Sequence, residues 1–180
     1  MGNFKEDIAR VEAIVFDVDG VMTDGGIIPT PDGDFIRRYN AKDGYAIASA
    51  IREGMKICVI SGGRGNMLRH RLEMLGVTRM YLNCMDKRAA LGEFLADHGI
   101  AAENVIYMGD DIPDLECMRM VGIPVCPADA AMEVVEASRY VSEFNGGHGA
   151  VRDIVEQVMR AQQKWAKNLK GVLGLPTSEK

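Results

Sequence analysis

Short apolar runs that break off into polar, glycine-bearing turns set the limits on how this chain can fold. Ile14-Val15-Phe16 runs into Asp17-Val18-Asp19-Gly20, Ile57-Cys58-Val59-Ile60 into Ser61-Gly62-Gly63, and Val105-Ile106-Tyr107-Met108 into Gly109-Asp110-Asp111. Runs this short and this continuously apolar read as strands buried on both faces. The reading predicts strands near 13–17, 56–60, 79–82, 104–108, 123–126 and 139–141. It predicts helices near 43–53, 64–75, 86–98, 112–121, 129–137 and 149–166. Strands alternating with amphipathic helices mean an α/β fold, a mainly parallel sheet between helices. Right-handed crossovers gather the C-terminal strand ends on one edge, where open α/β sheets keep their ligands.

Carboxylates crowd that edge. While a strand continues, its period of two points Asp17 and Asp19 to the same side. Like charges placed together need a cation or a shared proton. Asp110, Asp111 and Asp114 follow a second strand. Both clusters together make a hard-cation site of oxygen ligands, with Mg²⁺ the usual occupant. Taken singly, each residue has a plainer reading. Asp19 forms a turn before Gly20, Ser61 caps a helix, Lys87 is a solvated helix residue, and Asp111 caps the helix opening at Ile112-Pro113.

One stretch breaks the alternation. Gly25 to Ile28 and Phe35 to Tyr39 read as the arms of a β-hairpin, with Pro31-Asp32-Gly33-Asp34 as its turn. Residues 1–169 otherwise read as a single domain, and 170–180, with Gly171, Gly174 and Pro176, as a loosely ordered tail. The net charge of −5 speaks against nucleic acid as a partner, since a phosphate backbone calls for a basic face. Cys58, Cys84, Cys117 and Cys126 show no metal-site spacing and read as reduced thiols of a cytoplasmic protein. The N-terminal segment has no apolar stretch of the signal-peptide kind, and no run approaches membrane-spanning length, so no membrane partner is expected.

The order Asp17-x-Asp19-Gly20, Ser61, Lys87 and Gly109-Asp110-Asp111-x-x-Asp114 resembles the four motifs of the haloacid dehalogenase superfamily of phosphotransferases. Asn40-Ala41-Lys42-Asp43-Gly44-Tyr45-Ala46-Ile47, Gly109 to Asp114, and Gly146-Gly147-His148-Gly149-Ala150-Val151-Arg152 narrow the resemblance. They are similar to segments of the 3-deoxy-D-manno-octulosonate 8-phosphate (KDO 8-phosphate) phosphatase family, over roughly residues 10 to 165. The resemblance implies a Rossmann-like core with the hairpin as a small cap. It implies Mg²⁺-dependent release of phosphate from KDO 8-phosphate through an aspartyl-phosphate intermediate, in the making of lipopolysaccharide KDO. It also implies a homotetramer with shared active sites, since the hairpin is too short to roof a sugar-phosphate pocket.

The same resemblance assigns roles. Asp17 is the nucleophile, and Asp19 the acid and then base, its backbone carbonyl also reaching the metal. Ser61, Gly62 and Lys87 address the phosphoryl oxygens, and Asp17, Asp19, Asp110, Asp111 and Asp114 make up the metal set. The family often reads Thr-Gly-Arg where this chain has Ser61-Gly62-Gly63-Arg64. Lys42, Arg64 and Arg71, with Arg69 and Arg152 behind them, are the candidates for a substrate carboxylate, although each alone reads as a solvated helix residue. Two alternatives stand beside this reading. One is a phosphatase for nine-carbon sugar acids such as KDN or sialic acid 9-phosphate. The other is a receiver-type regulator, which has no need of Asp19 or of the GDDxxD cluster.

Overall fold

The computed structural model describes residues 3–166. A short helix α1 (Phe4–Ile8), capped by the Asn3 side chain, leads into strand β1 (Ala13–Phe16). The hairpin follows as β2 (Ile28–Pro29) and β3 (Phe35–Ile36). Then come α2 (Ala41–Arg52), β4 (Lys56–Ile60), α3 (Asn66–Met74), β5 (Arg79–Tyr81) and α4 (Lys87–His98). The remainder is β6 (Val105–Met108), α5 (Leu115–Met120), β7 (Ile123–Cys126), α6 (Met132–Ala137), β8 (Tyr140–Val141) and α7 (Ala150–Ala161).

Six strands form one sheet in the order β5-β4-β1-β6-β7-β8, every pair parallel. The period of two divides β1 between the two cores. Ile14 and Phe16 join Ile47, Leu68, Leu72, Ile154 and Val158 from α2, α3 and α7. Ala13 and Val15 join Leu91, Phe94, Met118 and Val134 from α4, α5 and α6. Burial of this apolar surface on both faces is the main stabilising term, about 25 cal/mol per Å² removed from water. The chain winds outward from β1 to β4 and β5, then crosses back to β6 and continues to β8. The order therefore reverses between β1 and β6, and a crevice opens at their C-terminal ends.

The α/β expectation and all six strands hold. The differences lie at helix ends and in α1, a helix outside the expected set. The expected helix 112–121 is a 3-10 turn at Ile112–Asp114 followed by α5, because the Asp111 and Asp114 carboxylates cap that turn. The expected 64–75 begins later, at Asn66, because Asp34 of the hairpin supplies its cap: Oδ2 accepts from Asn66 N at 2.9 Å and Met67 N at 3.0 Å. The hairpin is present but minimal. Its turn is Thr30 to Gly33, where Gly33 N donates to Thr30 O at 3.0 Å, and a bridge between Thr23 and Tyr39 closes its base. All four cysteines are free. Among the described residues no helix is long and apolar enough to cross a membrane. The expected tail at 170–180 lies outside the described residues.

Candidate active site

The crevice at the reversal is a cleft of about 1050 Å³. Asp17, Asp19, Ser61, Gly62, Arg64, Lys87, Asp110, Asp111 and Asp114 all line it. Backbone pairing carries each side chain there. Asp17 N donates to Met108 O at 3.0 Å and Ser61 N to Tyr81 O at 2.9 Å, so the sheet register continues through both residues. Asp86 caps α4 by accepting from Ala89 N at 2.8 Å, which sets Lys87 at the first helical position, over the acidic cluster.

Lys87 is the hub. Its Nζ lies 3.1 Å from Asp17 Oδ2 and donates to Asp114 Oδ1 at 2.8 Å. Burial alone lowers an ammonium's pKa. Here the two carboxylates overrule it, so the Lys87 pKa rises and the charge is kept. Asp114 is fully engaged, since Tyr107 OH also donates to Oδ1 at 2.8 Å and Asp110 N to Oδ2 at 3.1 Å. These bonds tie Lys87 to the turn after β6. Ser61 Oγ is buried and accepts from Gly63 N at 3.0 Å, leaving its own proton to donate.

Asp17 and Asp110 are different. Asp17 Oδ1 and Asp110 Oδ1 are buried and meet no hydrogen-bond donor among the described residues. Burial, then the Asp114 charge, pushes Asp17 up to about 6, and burial, then the Asp17 charge, pushes Asp110 up to about 8. Oxygens of Asp17, Asp110 and Asp114 lie within 4.8 Å of one another. Orphaned, mutually repelling oxygens converging on one point fit a hard divalent cation. Gly20 makes that convergence possible. Its φ is +89°, and a Cβ there would fall on the Asp110 carboxylate.

The carboxylates of Asp19 and Asp111, unlike those of Asp17 and Asp110, are engaged elsewhere. The strand ends at Phe16 and the chain turns, with Val21, Met22 and Thr23 N–H groups all donating to Val18 O. The period-two argument therefore stops short of Asp19, whose carboxylate is held by Arg37, with Nε donating to Oδ1 at 2.6 Å and Nη2 to Oδ2 at 3.1 Å. Asp111 Oδ1 accepts from Ile112 N at 2.8 Å, as a cap.

Of the basic candidates, Arg64 lines the cleft while Lys42, Arg69, Arg71 and Arg152 do not. Lys42 is exposed in the first turn of α2. Arg69 reaches Met80 Sδ at 3.8 Å. Arg71 stands 5.5 Å from the Tyr39 ring centre, and Arg152 pairs with Glu156 at 2.6 Å and stands 4.4 Å from the Trp165 ring. Arg37, Arg88 and Arg119 line the cleft instead, unforeseen in the sequence. No local spacing marks Arg37; only the long-range placement of the hairpin delivers it. The glycine loop 145–149 packs on the first motif of its own chain, where Gly147 N donates to Val21 O at 3.0 Å. A Cβ on Gly146 would fall on the Gly20 carbonyl.

Comparison with known proteins agrees with this geometry. A family described as haloacid dehalogenase-like hydrolase matches residues 83–154. The 3-deoxy-D-manno-octulosonate 8-phosphate phosphatase of Yersinia pestis is 36% identical over 167 residues, covering 93% of this chain and 87% of that protein. A crystal structure of the Yersinia pestis phosphatase superposes with a TM-score of 0.87 at 35% identity, over 91% of this chain and 88% of that one. The Moraxella catarrhalis phosphatase, solved in complex with a magnesium ion, a phosphate ion and KDO, superposes with a TM-score of 0.85 at 26% identity, over 94% of this chain and 95% of that one. With the carboxylate cluster, its lysine and this likeness over most of its length, the chain belongs to the 3-deoxy-D-manno-octulosonate 8-phosphate phosphatase family of haloacid dehalogenase-like hydrolases.

Proposed function

We propose that this phosphatase removes phosphate from KDO 8-phosphate, with Mg²⁺ as cofactor and an aspartyl phosphate on Asp17 as intermediate. The observation that carries the reading is the pair of orphaned oxygens on Asp17 and Asp110 beside the Lys87 ammonium. It is supported by the magnesium, phosphate and KDO bound in the Moraxella catarrhalis relative.

The Asp17 carboxylate attacks phosphorus and the bond to the sugar oxygen breaks. Asp19 gives that oxygen its proton. Asp19 then takes a proton from water, the hydroxide attacks the aspartyl phosphate, and inorganic phosphate leaves with Asp17 restored. Ser61 Oγ, the Gly62 backbone and Lys87 Nζ meet the phosphoryl oxygens and the charge that develops on them. Asp17 and Asp110, with the Asp19 carbonyl, would hold a divalent cation, which would supply neutralisation of charge between nucleophile and phosphate. Arg64, at the rim, is the residue of the basic set best placed for the sugar acid's carboxylate. The step belongs to the making of the KDO of lipopolysaccharide, in the cytoplasm, a reading that the four free thiols support.

The active unit in this reading is a homotetramer with shared sites. Its support is the hairpin, whose Ile27, Ile28 and Ile36 are 48%, 61% and 47% exposed and whose strands are too short to roof the cleft. A phosphate-release screen tests the function, with light scattering on the same samples for the assembly. KDO 8-phosphate is expected to exceed KDN 9-phosphate, sialic acid 9-phosphate and hexose phosphates in kcat/KM, and chelation to remove all turnover. A nine-carbon ester preferred over KDO 8-phosphate would overturn the substrate. Full activity in chelator would overturn the metal, and a fully active monomer the shared site.

A further inference from the structure

We propose that Arg37 is a positioning residue for proton transfer: carried by the hairpin, it grips both oxygens of Asp19 and fixes where that carboxylate stands in the cleft. The inference rests on the phosphatase reading and on the part Asp19 plays in it.

The pair has the fork geometry of a guanidinium on a carboxylate, through Nε and Nη2 at 2.6 and 3.1 Å. Its two members are unequally placed. The Arg37 side chain is 3% exposed and that of Asp19 23%, so the arginine is the buried anchor and the carboxylate faces the cleft. The third nitrogen, Nη1, is committed to the Arg64 carbonyl at 3.4 Å. The guanidinium also lies 5.7 Å from the Phe35 ring centre. A cation this enclosed, with each of its three nitrogens already bonded, is built to hold a neighbour and not to reach for substrate.

Asp19 needs such a neighbour. Among the described residues, Arg37 supplies both hydrogen bonds of its carboxylate. Lys87, the other buried cation of the cleft, sits between Asp17 and Asp114 and makes no bond to Asp19. Left alone, Asp19 would be driven away from these carboxylates by like charge. The second-motif turn leaves room for the pair. A Cβ on Gly63 would lie 2.9 Å from Arg37 Nη2 and 3.1 Å from Asp19 Oδ2.

At the step that releases the alcohol, a residue acting through Asp19 matters only for substrates that need a proton delivered to the leaving oxygen. A sugar alkoxide needs it; p-nitrophenolate does not. The experiment compares kcat/KM, which reports steps up to release of the alcohol, for KDO 8-phosphate and p-nitrophenyl phosphate. Arg37→Gln is expected to lower the sugar phosphate value by roughly 10²-fold, the lower end for general acid catalysis, and the aryl value by no more than about threefold. Arg37→Lys, which keeps the charge without the fork, is expected to fall between wild type and Arg37→Gln on the sugar phosphate. Arg37→Gln added to Asp19→Asn is expected to cost nothing further. Equal losses on both esters, in variants that melt like wild type, would assign Arg37 to holding the hairpin and overturn the proposal. Unchanged or increased sugar phosphate turnover would overturn it as well. Wild-type protein that cleaves neither ester would instead defeat the phosphatase reading itself.

Discussion

The two walls of the cleft are built by opposite means. One stands on β1 and β6, whose residues are all buried, and gathers Asp17, Asp110 and Asp114 around Lys87. The other is a hairpin with two-residue strands, held to the body by polar ties: Arg37 on Asp19, Arg38 on Asp24, and Asp34 on the start of α3. The same residue type is driven in opposite directions on the two walls. Asp17 and Asp110, each with one buried oxygen that meets no donor, are pushed up. Asp34 accepts from the Met67, Phe35 and Asn66 N–H groups, and these hold its carboxyl below the usual range. On the sheet wall burial and like charge decide, and on the hairpin wall the backbone donors around Asp34 do. The sheet wall is poised for a cation, whereas the hairpin wall is already satisfied.

The sharpest way to break this contrast is Asp17→Asn. Turnover of KDO 8-phosphate is expected to fall by at least roughly 10³-fold, the scale on which a covalent nucleophile is lost. The melting temperature is not expected to fall, because a repelling charge is removed. Activity within roughly tenfold of wild type would take the nucleophile's part from Asp17.

Next in size is the stability of the metal-free sheet wall. Carboxyls whose folded pKa lies above the unfolded value favour folding below about pH 4, and that contribution is lost as pH rises through about 6 for Asp17 and about 8 for Asp110. In chelator, thermal melts are therefore expected to shift downward by several degrees between about pH 5 and pH 9. Saturating Mg²⁺ is expected to flatten that slope, since it binds the folded form with both groups ionised. A flat profile in chelator would show that the two carboxylates do not repel as the geometry requires.

The smallest effect belongs to the hairpin. Asp34→Ala removes the cap of α3 and one tie, so hydrogen exchange at Phe35 and Ile36 is expected to quicken while β1 amides stay protected. KM is expected to rise a few-fold with kcat nearly kept. Exchange that quickens equally in β1 would mean the two walls are one cooperative unit.

What could be read from the sequence follows the same division. Asp17, Ser61, Lys87 and Asp110 were legible because strand ends in a parallel sheet share one edge, so their placement follows from local pattern and topology. The start of α3 was not, because its cap comes from Asp34, 32 residues earlier and in another element. Arg37 escaped notice for the same reason. Lys42 and Arg71 have the right charge for a substrate carboxylate, but charge alone carries no direction, and in this chain both lie away from the cleft.

The packing of the glycine loop on the first motif also orders events during synthesis. The backbone around Gly20 and Thr23 is made well before Gly146 and Gly147, which lie against it and follow β8. β6, whose Met108 carbonyl receives the Asp17 amide, is likewise made late. A chain still emerging from the ribosome thus carries Asp17 in an unfinished loop. The turn that follows Asp17 gains its last packing partner only once the segment after β8 has folded back onto Gly20 and Val21.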